Sequence, residues 1–162
     1  MEHTSDTEFE IRFVDAGDIT IARDLLALFA SVFDEPETYS ASPPTDDYLV
    51  QQLSSGAFIM VVALVDSTVV GGFGGYVLTK FEQERSEVFI YDLAVVSEFR
   101  RRGIATALIE KAKELARQRG AHLVWIQSES DDLPSSRTYQ QYVDPLKANH
   151  YEFSPETKKR DV

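Results

Sequence analysis

Asp92 is a carboxylate set inside an apolar run, Ile90-Tyr91-Asp92-Leu93-Ala94. A charged group in such surroundings is costly unless it is paired. It is therefore either a structural acid tied to a neighbouring turn or arginine, or a working acid whose burial suits it to be a general base or a cation anchor. Glu87 is the second acid of this stretch. In a regular strand its side chain points to the opposite face from that of Asp92, and only a bulge between them reverses this. Its plain alternative is an exposed acid at a strand start.

Farther along, Phe99-Arg100-Arg101-Arg102-Gly103-Ile104-Ala105-Thr106 is a basic, glycine-containing turn that opens a helix. Unpaired N–H groups, the positive end of a helix dipole and three arginines together suit a pyrophosphate. Gly103 lets phosphates approach the backbone. Such a cluster also occurs as a plain exposed turn. What favours an anion is that acids, not arginines, are preferred at a helix start, and that this island is basic in a chain of net charge −11.

Other chemistries have little to build on. With no cysteine there is no disulfide, thiolate metal site or cysteine nucleophile. His3 is terminal, His122 starts a strand and His150 lies near the end, so none is assigned a role and no metal is expected.

The elements that must position these groups follow from periodicity. Glu8 to Val14 alternates as a strand with one wet face. From Asp18, which is placed to cap it, Ile21, Leu25, Leu28, Phe29 and Val32 fall at helical spacing. Asp34 to Pro44 reads as a loop and substrate lid, and Thr45 to Leu53 as a short helix capped by Thr45. Ala57 to Val65, a turn at Asp66-Ser67-Thr68, and Val69 to Leu78 form an antiparallel hairpin. Gly71, Gly72, Gly74 and Gly75 in its second arm imply a bulge or a close backbone approach.

Glu87 to Val96 is apolar on both parities, as a central strand should be. Ile104, Leu108, Ala112 and Leu115 form an amphipathic helical stripe that closes at Gly120. Ala121 to Gln127 is a short strand, Pro134 to Tyr142 a short helix, and His150 to Phe153 a last strand, followed by a frayed tail at 154–162.

A chain of 162 residues with 43% hydrophobic content supports one domain. Its first ten residues are polar and acidic, and no apolar run approaches the roughly 18 residues of a membrane span. A cytoplasmic protein is the expectation. Strong acidity repels nucleic acid and attracts a polycation. The segments Asp34-Glu35, Glu82 to Glu87, and Glu129 with Asp131 and Asp132 would form a cation trap if gathered at one cleft. Otherwise they serve only solubility.

Arg100 to Ala105 resembles the Arg/Gln-x-x-Gly-x-Gly/Ala motif with which GNAT acetyltransferases hold acetyl-CoA, and the preceding Asp-Leu-Ala-Val strand is similar to theirs. Thr38-Tyr39-Ser40, Asp47-Tyr48-Leu49, Tyr76-Val77-Leu78, Lys80-Phe81-Glu82-Gln83 and Arg85 through Val95 resemble the aminoglycoside 3-N-acetyltransferases, in order over roughly residues 9–139. The resemblance implies an α+β fold, a mixed central sheet of six or seven strands flanked by about four helices. It implies acetyl-CoA as cosubstrate, bound by Leu93, Ala94 and Val95 along the pantetheine arm and by Arg100, Arg101, Arg102, Gly103, Ile104, Ala105 and Thr106 at the phosphates. It puts Asp92 at the catalytic aspartate position, Tyr139 at that of the acid protonating the departing thiolate, and Tyr39 in the acceptor cleft. A neutral amine must attack the thioester, so something must remove a proton, and a carboxylate beside the thioester can do so directly or through water.

The implied substrate is an aminoglycoside acetylated at the 3-amino group of its deoxystreptamine ring, and the implied assembly is a homodimer. A GNAT enzyme for polyamines or protein amines, and a CoA-binding sensor, are the alternatives. After Tyr139 the chain reads Gln140-Gln141-Tyr142-Val143 in place of the Leu-Gly-Phe-like turn usual in the family.

Overall fold

The computed structural model describes residues 8–129 and 132–158. By internal packing the chain divides into two compact units, Met1–Gln127 and Ser128–Val162. The first holds β1 (Glu10–Phe13), α1 (Ile19–Val32), α2 (Pro36–Tyr39), α3 (Asp46–Ser54), β2 (Phe58–Val65), β3 (Thr68–Lys80), β4 (Arg85–Val95), a 3-10 turn (Ser97–Phe99), α4 (Ile104–Gln118) and β5 (Ala121–Ile126). The second holds α5 (Leu133–Tyr139).

The sheet runs in the order β1-β2-β3-β4-β5. Three antiparallel pairings are followed by one parallel pairing, β4 with β5. Parallel neighbours need a crossover, and α4 supplies it. The mixed α+β sheet anticipated from sequence is thus present, with five strands among the described residues.

The unbroken apolar run of β2 has a simple cause: both faces of the strand are buried. Ile59, Val61 and Ala63 pack with Ile104, Leu108 and Ala112 of α4. Met60, Val62 and Leu64 pack with Ala22, Leu25 and Phe29 of α1. Leu25 is fully buried, which is worth roughly 1.5–3 kcal/mol. Asp66 and Ser67 both take positive φ, 48° and 64°, the mirror-image turn that matches the twist of a two-residue hairpin.

Three local expectations are corrected. The segment Asp34 to Pro44 is not all loop but contains α2, which Pro36 starts at a position where its missing N–H costs nothing. Asp18 makes no side-chain cap to α1; its carboxylate is engaged by the Arg12 guanidinium and also accepts the Asp15 N–H at 3.3 Å. A charged donor outcompetes a helix amide for the same oxygens. His150–Phe153 is not a strand. Tyr151 and Phe153 are 73% and 78% exposed, so no burial favours extended pairing, and His150 instead meets Glu152 at 3.2 Å. Thr45 does cap α3, accepting the Tyr48 N–H at 3.2 Å.

The glycines of β3 permit the close approaches their pattern implied. A Cβ on Gly72 would lie 2.6 Å from the Val61 carbonyl oxygen and 2.7 Å from Leu25 Cδ1, so only glycine lets α1 settle onto the sheet. Gly72→Ala should destabilise the protein by about 1–3 kcal/mol through overpacking. Urea unfolding reads this directly, and an unchanged midpoint would contradict the packing described.

Candidate active site

The site begins with one residue too many in β4. Asp92 pairs with Gly74 and Ile90 with Gly75, so Tyr91 is the extra residue of a β-bulge. Its effect on side-chain direction is visible in the cores. Before the bulge Val88 and Ile90 face α4; after it Leu93 and Val95 do, while Ala94 packs on the α1 side. Asp92, sharing parity with Ala94, therefore faces the α1 side, the same face as Glu87 and Phe89.

There the Asp92 carboxylate accepts the hydroxyl of Tyr39 at 2.9 Å. Tyr39 ends α2 and is wedged against Phe29 and Phe33, with ring centroids 5.7 and 5.8 Å away. Burial raises the pKa of Asp92, the Tyr39 bond opposes this, and the charge of Glu35 raises it further. Burial, then the bond to Asp92, raises the pKa of the Tyr39 phenol, so this hydroxyl stays a donor. The result is a half-buried carboxylate that is more basic than a free one and held in a fixed direction, the properties of a general base.

The remaining acids divide. Glu87 shares the face of Asp92 but stands five residues earlier, about 15 Å along an extended strand. It is flanked by Lys80 at 3.5 Å and His122 at 3.7 Å. Glu82 is paired with Lys80 and Arg85, at 3.8 and 3.3 Å. Glu35 is exposed, accepts the Thr38 hydroxyl at 3.1 Å and acts on Asp92; its neighbour Asp34 is exposed, in a left-handed backbone with φ 54°. Glu35 and Asp92 thus form the negative pole, while Glu82 and Glu87 are largely matched by cations of the protein itself.

In the second unit Asp132 caps α5 by accepting the Ser135 N–H at 3.3 Å, and the Glu129 carbonyl accepts the Asp132 N–H at 3.1 Å. Asp131 lies outside the described residues. Tyr139 closes α5. Burial raises its phenol pKa, a hydrogen bond with Ser135 lowers it and Asp132 raises it, leaving a neutral hydroxyl that can give a proton.

The basic turn joins β4 to α4. Arg101 and Gly103 take positive φ, 60° and 79°, and such alternation turns successive N–H groups to one side, as in an anion-binding nest. The first intrahelical bond runs from Ala107 N–H to the Gly103 carbonyl at 2.9 Å. The amides of Ile104, Ala105 and Thr106 precede it and project from the helix start. A Cβ on Gly103 would meet no atom within 4 Å, so the space above it is open. Arg100 Nε ties the turn to β4 through the Val95 carbonyl at 3.0 Å, and Arg102 lies over the Phe99 ring at 5.0 Å.

The ladder between β4 and β5 ends at Ile90 and Ile126, whereas β4 continues to Val95. Among the described residues, Leu93, Ala94 and Val95 pair only with β3. A free strand edge leading to an anion-binding helix start fits a cofactor with an amide-bearing arm and a pyrophosphate.

The sequence reading did not anticipate the Tyr39–Asp92 bond, nor the role of His122, whose Nδ1 meets the Ser86 carbonyl at 2.8 Å while Nε2 faces Glu87. The doubled glycines of β3 were the available signal for the bulge that turns Asp92 toward Tyr39.

Tyr39→Phe removes a donor that favours the charged carboxylate, so the pKa of Asp92 should rise further in this variant. A carboxyl 13C titration followed by NMR measures it, and an unchanged or lowered value would remove Tyr39 as the residue tuning this acid.

Residues 23–143 match the model of the Acetyltransferase (GNAT) family. A search of the curated proteins found no match. Among solved structures, an aminoglycoside acetyltransferase, HMB0005, from an uncultured soil metagenomic sample is 38% identical with TM-score 0.88, over 91% of this chain and 98% of that one. A second, meta-AAC0020, from an uncultured soil metagenomic sample and in complex with sisomicin, is 26% identical with TM-score 0.80, over 93% and 97%. AAC(6')-Iy in complex with the bisubstrate analog CoA-S-monomethyl-acetylneamine shares the fold, with TM-score 0.70 at 15% identity over 93% and 99%. With its mixed sheet, free β4 edge and glycine turn at the start of α4, the chain belongs to the GNAT family of acetyltransferases.

Proposed function

We propose that the protein acetylates an amine of an aminoglycoside, the 3-amino group of the deoxystreptamine ring, using acetyl-CoA in a ternary complex. The observation that carries the proposal is the half-buried Asp92 held by Tyr39 beside a free strand edge. The 38% identity to an aminoglycoside acetyltransferase over 91% of the chain supports the substrate class. The net charge of −11, with Glu35 and Asp92 on one face, suits a polycationic acceptor. The proposed working form is cytoplasmic and single-domain, as length and composition suggest, and a homodimer, as the family resemblance implies.

In this reading the first-turn amides of α4, Gly103 and Arg100 to Arg102 hold the phosphates, and the backbone of Leu93, Ala94 and Val95 lies along the pantetheine arm. The cosubstrate supplies an acetyl group activated as a thioester. Asp92 accepts a proton from the acceptor ammonium, directly or through water, which frees the lone pair of the amine. Tyr39 keeps the carboxylate aimed and Glu35 helps to orient the cation. Tyr139 holds the proton for the departing thiolate. Glu87, far along β4 and paired with Lys80, is set aside as the base in favour of Asp92.

Thiol release from acetyl-CoA tests the reading, because a cysteine-free protein consumes none of the thiol reagent. Gentamicin-like compounds and sisomicin should turn over, while spermidine and lysine peptides remain silent. Turnover only with the latter would discard the antibiotic assignment, and an NMR spectrum of the product locating the acetyl group elsewhere would correct the regiochemistry.

Gly103→Val fills the space over the turn and forces a β-branched residue to φ 79°. Its acetyl-CoA affinity should fall about tenfold or more, roughly 1.4 kcal/mol. Isothermal titration reads this, and unchanged affinity would move the phosphate site elsewhere.

A further inference from the structure

Beside Asp92 a row of aromatic rings crosses four strands on the same face of the sheet. Ring centroids are 5.3 Å apart for Phe58 and Tyr76, 6.0 Å for Tyr76 and Tyr91, 5.4 Å for Tyr91 and Phe89, and 4.1 Å for Phe89 and Trp125. The last pair is stacked at 13°. Aromatic side chains on inner strands are normally covered, since each offers a large apolar area. Here Tyr91 is 62% exposed and Tyr76 40% exposed. The bulge explains why: Tyr91 has no opposite residue on β3, and it stands on the same face as the next residue, Asp92. An aromatic surface and a carboxylate are thereby set side by side by consecutive residues.

We infer that this row is the platform on which the acceptor's amino-sugar ring lies, and that Tyr91 is the residue that selects such rings over open-chain amines. The inference rests on the aminoglycoside reading above and names the surface that recognises that substrate class. An aminoglycoside ring has an apolar C–H face and ammonium substituents around its rim. The C–H face stacks on an aromatic ring, and an ammonium over such a ring is attracted by its negative face. The charge complement is in place, because Asp92 adjoins Tyr91 and Glu35 acts on Asp92. Tyr48 and Asp92 are close enough to Tyr76 to raise its phenol pKa, behind burial as the main cause, so a sixth ring and the carboxylate border the same surface. An open-chain polyamine can place an ammonium over a ring but has no C–H face to stack on it, so the row offers it less than it offers an amino sugar.

The test is isothermal titration of sisomicin and of spermidine into the wild type, Tyr91→Ala and Tyr91→Phe, with steady-state kinetics alongside. Trp125 is the single tryptophan of the chain and stacks on Phe89, so its emission gives a second readout from within the row. Tyr91→Ala should weaken sisomicin binding about tenfold, raise the acceptor KM by a similar factor, and leave the acetyl-CoA KM unchanged. Tyr91→Phe, which keeps the ring, should stay within about twofold of wild type, and Tyr91→Ala should weaken spermidine binding by a smaller factor than sisomicin binding. If wild type binds sisomicin and Tyr91→Ala binds it equally well, the platform is overturned while the aminoglycoside reading stands. If wild type binds no sisomicin, both fall together.

Discussion

A single extra residue in β4 is the constraint on which the site depends. Tyr91 has no partner across the ladder, and its insertion reverses the alternation of the strand between Ile90 and Leu93. Without that reversal, the pattern that buries Val88 and Ile90 under α4 would direct Leu93 and Val95 away from it. With it, both halves of β4 bury their apolar side chains on α4, and Asp92 comes to the opposite face where Tyr39 can reach it. The bulge is itself permitted by glycine: a Cβ on Gly75 would lie 2.8 Å from the Phe89 carbonyl oxygen. The ladder with β5 ends at Ile90, just before the bulge, so the same irregularity marks where the edge of β4 becomes free.

Electrostatics then follow from placement. A carboxylate at this position loses hydration, which favours its protonated form, and the nearby Glu35 acts in the same direction. Tyr39 restores part of the loss by donating to Asp92. This balance leaves a group that ionises yet retains affinity for a proton. The basic turn at α4 is its counterpart. Three arginines and the projecting amides oppose the prevailing negative charge of the chain, so the C-terminal part of β4 and the turn after it pass from a negative site at Asp92 to a positive one at the start of α4. Their separation along strand and turn suits a cosubstrate with anionic phosphates at one end and a reactive group meeting a cation at the other.

Much of this was legible from sequence because it is local. The alternation of β1, the double-sided run of β2, the Asp66-Ser67 turn, the Thr45 cap and the α4 stripe ending before Gly120 each need only neighbouring residues. The basic turn was legible for the same reason. The bulge was not, since its position depends on which β3 glycine opposes which β4 residue. Parity counted without it separated Glu87 from Asp92, whereas the two share a face. The Tyr39–Asp92 bond joins residues 53 positions apart, and His122 meets Ser86 across 36. Asp18 has the sequence position of a cap but does not serve as one, because Arg12, on a different element, competes for it. The pairing of Glu87 with Lys80 and His122 depends on which strands lie side by side, so it is not legible in the sequence.

The central claim is that Asp92 takes the acceptor's proton, and the dependence of kcat/KM on pH, compared between wild type and Asp92→Asn, tests it most directly. The wild-type profile should fall on its acid side with an apparent pKa above the ordinary carboxylate value of about 3.9, because only the ionised, burial-raised form of Asp92 can act as base. Asp92→Asn should lose about 10²–10⁴-fold in rate and lack that limb, with acetyl-CoA binding intact. An Asn variant that kept both the wild-type rate and the wild-type acid limb would show that another group removes the proton.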